Sequence, residues 1–216
     1  MEKCKVAIII PAFNEGATIS NVVKSVEGYG VVIVVNDAST DDTKKKILNS
    51  GAILVSHKKN KGYDEALNSG FVKAKKLDCN FVITFDADGQ HDPRLINDYI
   101  SLMKRNYKVV VGVRGQFPRL SESIFSWVSR WKWGVLDPLC GMKGYHMDVY
   151  DKLGYFDSYK SVGTEMTIFA ASHKEKIAQL AIKIRNRGDS PRFGNRFSSN
   201  ISILKALWIG YKKYGR

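Results

Sequence analysis

The apolar, β-branched run Phe81-Val82-Ile83-Thr84-Phe85 ends abruptly in Asp86-Ala87-Asp88-Gly89-Gln90-His91-Asp92. Two carboxylates one residue apart, at the C-terminal end of a buried strand, are costly to place without a cation. Hard divalent ions such as Mg²⁺ and Mn²⁺ take oxygen ligands and commonly complete their shell with substrate phosphates. In open α/β sheets, ligands gather beyond the carboxyl ends of the strands. The pair therefore points to a metal held against a nucleotide diphosphate.

Two other polar segments, Pro11–Glu15 and Asn36–Asp41, follow apolar runs in the same way and reach the same edge if the strands are parallel. Asp37 could accept from a base N–H and Glu15 from a ribose hydroxyl. The plainer alternative is that Asp37, Ser39 and Asp41 build turns and cap the next helix, and the residues alone leave both open. Phosphate-cradling glycine loops are absent. There is no Gly-x-x-x-x-Gly-Lys-Ser/Thr, and Gly28-Tyr29-Gly30 lacks a third glycine and precedes its strand. A metal must then neutralise much of the pyrophosphate, which adds weight to Asp86 and Asp88.

The elements that must position these residues alternate through the first half. Strands are expected at Val6–Ile10, Val31–Val35, Ala52–Val55, Phe81–Phe85 and Lys108–Val113. Helices are expected over Ala17–Glu27, up to about Leu48, over Asp64–Lys76, and from Asp92-Pro93 onward, with an N-cap carboxylate and Pro at N1. This alternation predicts an α/β fold with a mostly parallel central sheet flanked by helices. Further on, Leu120–Trp133 and Thr164–Lys174 read as helices, Gly141–His146 and Ile177–Arg185 as extended, and Arg187–Arg196 as a loop. Phe197–Tyr214 is an amphipathic, basic tail. We divide the single domain into a nucleotide half (1–115), an acceptor half (116–196) and the C-terminal helix (197–216).

A chain of 216 residues with 44% hydrophobic and 25% charged residues suits one soluble globular domain. Three scattered cysteines and four histidines, none at metal-ligand spacing, argue against a disulfide framework and a zinc site. Reduced thiols and a cytoplasmic address fit. No apolar run approaches the ~20 residues of a membrane span, and Val6–Ile10, followed by Pro11, reads as a strand and not a signal peptide. The first hundred residues hold 13 basic and 13 acidic side chains, whereas the remainder holds 21 against 8. The whole +13 excess lies in the second half and calls for an anionic partner: nucleic acid, a phosphorylated substrate or an acidic membrane.

Three motifs in order then define a resemblance. Ile10-Pro11-Ala12-Phe13-Asn14-Glu15, Asn36-Asp37-Ala38-Ser39-Thr40-Asp41-Asp42-Thr43 and Phe85-Asp86-Ala87-Asp88-Gly89-Gln90-His91-Asp92-Pro93 resemble the signature of family 2 glycosyltransferases. Val113-Arg114, Asp137–Lys143 and Arg187-Gly188-Asp189-Ser190-Pro191-Arg192 bring it nearest the polyprenyl-phosphate subgroup, similar to dolichyl-phosphate mannose synthase. The resemblance spans nearly the whole chain and implies the GT-A fold, a nucleotide-sugar donor and Mg²⁺ or Mn²⁺. It assigns Pro11, Phe13, Glu15 and Asp37 to the nucleoside, and Asp86, Asp88 and Gln90 to metal and diphosphate. Arg114, Arg130, Arg187, Ser190 and Arg192 would face phosphates of donor or acceptor lipid. Asn36, Ala38, Phe13 and Arg192 depart from the usual Asp, Gly, Tyr and Lys. Asp64-Glu65 intrudes where small residues are typical, and we read it as two charges on an exposed helix start.

A lipid phosphate is already an anionic nucleophile, so its transfer needs cations to orient it more than a general base. The expected activity is inverting hexosyl transfer, with Asp88, Arg114 and Glu165 in catalytic positions. Glu165 would be the base only if the acceptor were a hydroxyl of a growing glycan, the rival acceptor. With a phosphate acceptor it would position groups. The basic tail, with Trp208 and Tyr211 among lysines, suggests peripheral docking on the cytoplasmic face of the membrane, with packing against the domain as the alternative. A nucleic-acid partner is not expected, because it gives no reason for the Asp pair or the neutral first half.

Overall fold

The computed structural model describes residues 5–185 and 196–215. Strands β1 (Val6–Ala12), β2 (Val31–Asn36), β3 (Ile53–Ser56) and β4 (Phe81–Thr84) alternate with helices α1 (Ile19–Val26), α2 (Thr43–Leu48) and α3 (Tyr63–Lys76). Then follow α4 (Leu95–Lys104), β5 (Val109–Arg114), α5 (Leu120–Trp133), β6 (Lys143–His146), α6 (Met147–Leu153), α7 (Glu165–Ser172), β7 (Ile177–Ile182) and α8 (Arg196–Tyr214).

All seven strands form one sheet in the order β3-β2-β1-β4-β6-β5-β7. Only β6 runs against the others. Alternate side chains of the central strands face opposite layers, as a two-residue period requires. Ile8, Ile10, Val34 and Ile83 pack with α1 and α4, while Ala7, Ile9, Ile33, Val35 and Val82 pack with α3, α6 and α7. Each such fully buried Ile or Val contributes about 1.5–3 kcal/mol relative to exposure. α3 lies directly on β1, because a Cβ at Gly70 would meet Ile9 Cγ2 at 2.3 Å.

The register makes the crevice. Ala12, Asn36 and Ser56 end level with one another, whereas Thr84 is level with Ile9. β4 thus stops short, and the chain after it turns across the sheet edge through the Asp86–His91 loop. Two expectations need correction. α4 begins at Leu95 instead of Pro93, because Asp92 accepts from the Arg94 amide and closes a turn ahead of the helix. Helix α6 has no counterpart in the expected elements, since it follows β6 without an intervening turn.

Candidate active site

Asp86 stands where β4 leaves the sheet. One carboxylate oxygen lies 3.0 Å from His91 Nε2 and the other accepts from the Tyr63 hydroxyl at 3.5 Å. Its side chain keeps 28% exposure. Burial raises its carboxyl, but His91, Lys143 and Arg114 outweigh this and hold it below the ordinary value. Asp88 accepts from the Gln90 amide at 3.0 Å, folding the loop so that both carboxylates stay at the edge. From the loop that leads into the antiparallel strand β6, Gly141 closes over Asp86 so tightly that a Cβ there would lie 2.0 Å from Oδ2.

Behind this acidic pair lie two cations. Lys143 is buried, pairs in register with Thr84, and donates to the Gly163 carbonyl at 2.7 Å. Burial lowers its pKa to about 8, against the pull of Asp137 and Asp86. Arg114 at the end of β5 forks onto the fully buried Asp137 at 2.7 and 2.9 Å and reaches Glu122 at 3.1 Å. Burial works against its charge, but Asp137 prevails and raises the guanidinium further.

The neighbouring loops are pinned to one another. Asn14 donates its amide to Ser39 Oγ and accepts from the Thr40 amide, and Asp41 accepts from Gly16 and Thr43. Asn14 and Ala38 hold φ of 56° and 60°. Ala38 therefore occupies a left-handed position that glycine favours, at a strain of about 1–2 kcal/mol. Asp37 turns into the protein: it accepts from the Lys61 and Gly62 amides at 2.9 and 2.8 Å and lies 2.6 Å from His57 Nδ1. A base N–H would compete with these partners.

A further wall is the segment preceding α7. Asp64 accepts from the Val162 and Gly163 amides, so it is not the exposed helix-start charge expected. Burial and the nearby Asp157 raise its carboxyl to about 7. Val162, a β-branched residue at φ 57°, marks strain here.

The model of glycosyl transferase family 2 matches residues 7–177. The chain belongs to that family. An uncharacterized protein of Methanocaldococcus jannaschii is 28% identical over 96% of this chain and 92% of its own length. A UDP-N-acetylglucosamine–dolichyl-phosphate N-acetylglucosaminyltransferase of Methanococcus voltae is 35% identical, over 52% of this chain and 53% of the relative. Among solved structures, glucosyl-3-phosphoglycerate synthase from Mycobacterium tuberculosis, crystallised with Mn²⁺, UDP and glucosyl-3-phosphoglycerate, superposes with a TM-score of 0.76 at 19% identity. That superposition covers 95% of this chain and 79% of that one. The shared fold is GT-A.

In this family 2 glycosyltransferase the structure brings Asp86, Asp88, Gln90 and Arg114 to one edge, with Pro11, Phe13 and Glu15 at the adjoining end of β1. Phe13 is 39% exposed and Glu15 is buried, accepting from the Thr18 hydroxyl. The Gln90 amide nitrogen donates to the Arg185 carbonyl, which fastens the chain after β7 to the Asp86 loop. Arg187, Ser190 and Arg192 lie outside the described residues. Arg130 stands apart, exposed in the last turn of α5, two helical turns or about 12 Å beyond Glu122. Glu165 has no exposure, and accepts from Ser158, Lys213 and Tyr214. It ties α8 to the wall of the site instead of facing the edge.

Tyr63, His91, Asp137 and Lys143 had no assigned role in the sequence. The first has no motif, and the others lie inside quoted motifs whose partners only the sheet order reveals. Among the described residues no group of three His, Cys, Asp or Glu side chains could enclose a metal by itself. Two hard carboxylates at an open edge instead suit an ion whose shell phosphate oxygens complete.

Proposed function

We propose that this glycosyltransferase moves a hexose, with inversion, from a nucleoside-diphosphate sugar to a polyprenyl phosphate at the cytoplasmic face of the membrane. The observation that carries the reading is the Asp86–Asp88 edge with Arg114 and Lys143 directly behind it. Mg²⁺ or Mn²⁺ held by Asp86 and Asp88, with Gln90 beside them, would act as a Lewis acid on the leaving diphosphate. The donor set suits such an ion, since His91, Lys143 and Arg114 favour the ionised carboxylate of Asp86, and His91 and Tyr63 hold its two oxygens in place. The UDP- and Mn²⁺-bound fold relative and the dolichyl-phosphate relative support the donor and the acceptor class respectively.

The chain's own residues divide the remaining work. Pro11, Phe13 and Glu15 flank the nucleoside, and Asp37 shapes the adjoining 57–62 loop. Arg114 and Lys143 place fixed positive charge behind the breaking bond, where preorganised electrostatics are most effective. An oxygen of the lipid phosphate attacks the anomeric carbon as the bond to the diphosphate breaks. That oxygen carries no proton to remove, which agrees with a Glu165 engaged by Ser158, Lys213 and Tyr214. Arg187, Ser190 and Arg192, which follow the anchored Arg185, are the residues to orient the acceptor phosphate.

Incubation of a panel of nucleotide-sugars with polyprenyl phosphate and Mn²⁺ tests this directly. A lipid-linked sugar is expected, lost in excess chelator and reduced at least about a hundredfold by Asp88→Asn. No product with any donor, or full activity in chelator, would refute the reading.

A further inference from the structure

α5 and α8 lie side by side and run in the same direction: Ser121 bonds to Asn200 near their starts, and Trp133 Nε1 donates to the Tyr214 carbonyl near their ends. Their inner faces share a core of Phe125, Ile203, Ala206 and Leu207 with Ile168 of α7. The tail therefore does pack against the domain. Its outer face remains open, and α5 presents a matching one.

On α5 the exposed apolar residues are Leu120, Ile124, Trp127 and Trp131, at intervals of four, three and four. On α8 they are Ile201, Leu204, Trp208 and Tyr211, at intervals of three, four and three. Each set is one helical stripe. Trp127, Trp131 and Trp208 are 72%, 70% and 64% exposed and border an open groove of about 410 Å³ between the helices. Soluble monomers seldom leave so continuous an apolar band uncovered.

The charges around the band are of one sign. Arg130, Lys132, Lys205 and Lys212 rim it, with Lys132 over the Tyr211 ring and Lys212 over Trp208. The one acidic residue of the two helices, Glu122, is buried against Arg114 and Arg119. Tryptophan and lysine side chains together suit the boundary between headgroups and acyl chains. A second copy of the same face would oppose cation to cation. No helix among the described residues is long and apolar enough to cross a membrane, so a bilayer met by this band would be met at its surface.

We infer that the paired α5–α8 stripes form a docking surface for an anionic lipid bilayer, entered by Trp127, Trp131 and Trp208. The inference deepens the lipid-phosphate reading, because Glu122 joins the start of α5 to Arg114 at the site edge. It rests, however, on residues outside that site. The full chain should sediment with vesicles of phosphatidylcholine and phosphatidylglycerol, bind phosphatidylcholine alone at least roughly tenfold more weakly, and show a blue-shifted tryptophan emission when bound. The variant Trp127→Ser/Trp131→Ser/Trp208→Ser should lose roughly tenfold or more in vesicle affinity, and Lys205→Glu/Lys212→Glu should abolish the preference for anionic vesicles. Both should keep wild-type circular dichroism and wild-type turnover of a water-soluble short-chain prenyl phosphate. Absence of wild-type binding to anionic vesicles, or unchanged binding by the tryptophan variant, would overturn the inference. So would a dimer in sedimentation that the tryptophan substitutions dissociate. Short-chain turnover without vesicle binding leaves the acceptor reading standing, whereas vesicle binding without any turnover removes only that reading.

Discussion

Gly141→Ala displaces Asp86 without altering its charge, and so separates the position of the carboxylate from its presence. The new Cβ would sit 2.0 Å from Oδ2 and 2.7 Å from both Cγ and Oδ1, whereas ordinary contact begins near 3.4 Å. Relief demands a shift of about 1.4 Å. The obstacle is the tip of one side chain, so overpacking should cost only about 1 kcal/mol, or about 2–4 °C in Tm for a chain of this size. A misplacement of about 1 Å at a reacting centre can lower turnover about a hundredfold. The expected result is therefore a near-native melting curve, a roughly hundredfold loss of kcat/KM and a weaker calorimetric response to Mn²⁺ with nucleoside diphosphate. Gly28→Ala, which meets nothing within 4 Å, is the control and should be silent. A fully active Gly141→Ala enzyme would refute the claim that the position of Asp86 governs transfer.

Glu165→Gln should destabilise the protein by about 1–2 kcal/mol, because Lys213, itself 39% exposed, loses its ion pair to the buried carboxylate while the amide oxygen still accepts a hydrogen bond; urea unfolding measures this. Residual enzyme should still transfer to a lipid phosphate, and complete loss of kcat in folded protein would favour a hydroxyl acceptor. Asp64 makes a prediction in pH. Its folded carboxyl titrates near 7, above the ordinary 3.8, so the folded state holds its proton more tightly than the unfolded one. Its contribution is then fully present below about pH 4 and is lost as pH rises through about 7. Unfolding free energies across that range should fall more steeply for wild type than for Asp64→Asn, and parallel curves would count against the assignment.

Most of the sheet is legible in the sequence because its strands are short apolar runs, ended after β2 by Asn-Asp and after β4 by Asp-x-Asp, although Pro11 does not end β1, which pairs on to Ala12. Helix α5 falls at its expected bounds, Leu120–Trp133. The Asp86 edge is legible for the same reason, since a carboxylate pair ends an apolar run. What supports that edge is not. Lys143 is a single cation within Cys140–Tyr145, and nothing local reveals that its neighbour is Thr84 on a strand nearly sixty residues earlier. Asp64 follows the pattern of an exposed helix start, and only the packing of residues 162–163 converts it into a half-buried acceptor. Arg130 has the right chemistry and the wrong place, because motif order carries no information about distance along α5.

The position of β6 bears on how the molecule comes into being. β5 touches the sheet only through β6 and β7, and β4 finds its second neighbour only in β6. A chain emerging from the ribosome can pair β1 to β4 in order, but must then hold an open edge until residue 146 is made. Only then does Gly141 arrive to close the carboxylate of Asp86. Halves made separately would each expose an unpaired strand to aggregation, so the enzyme should withstand nicking at surface loops far better than division at residue 115.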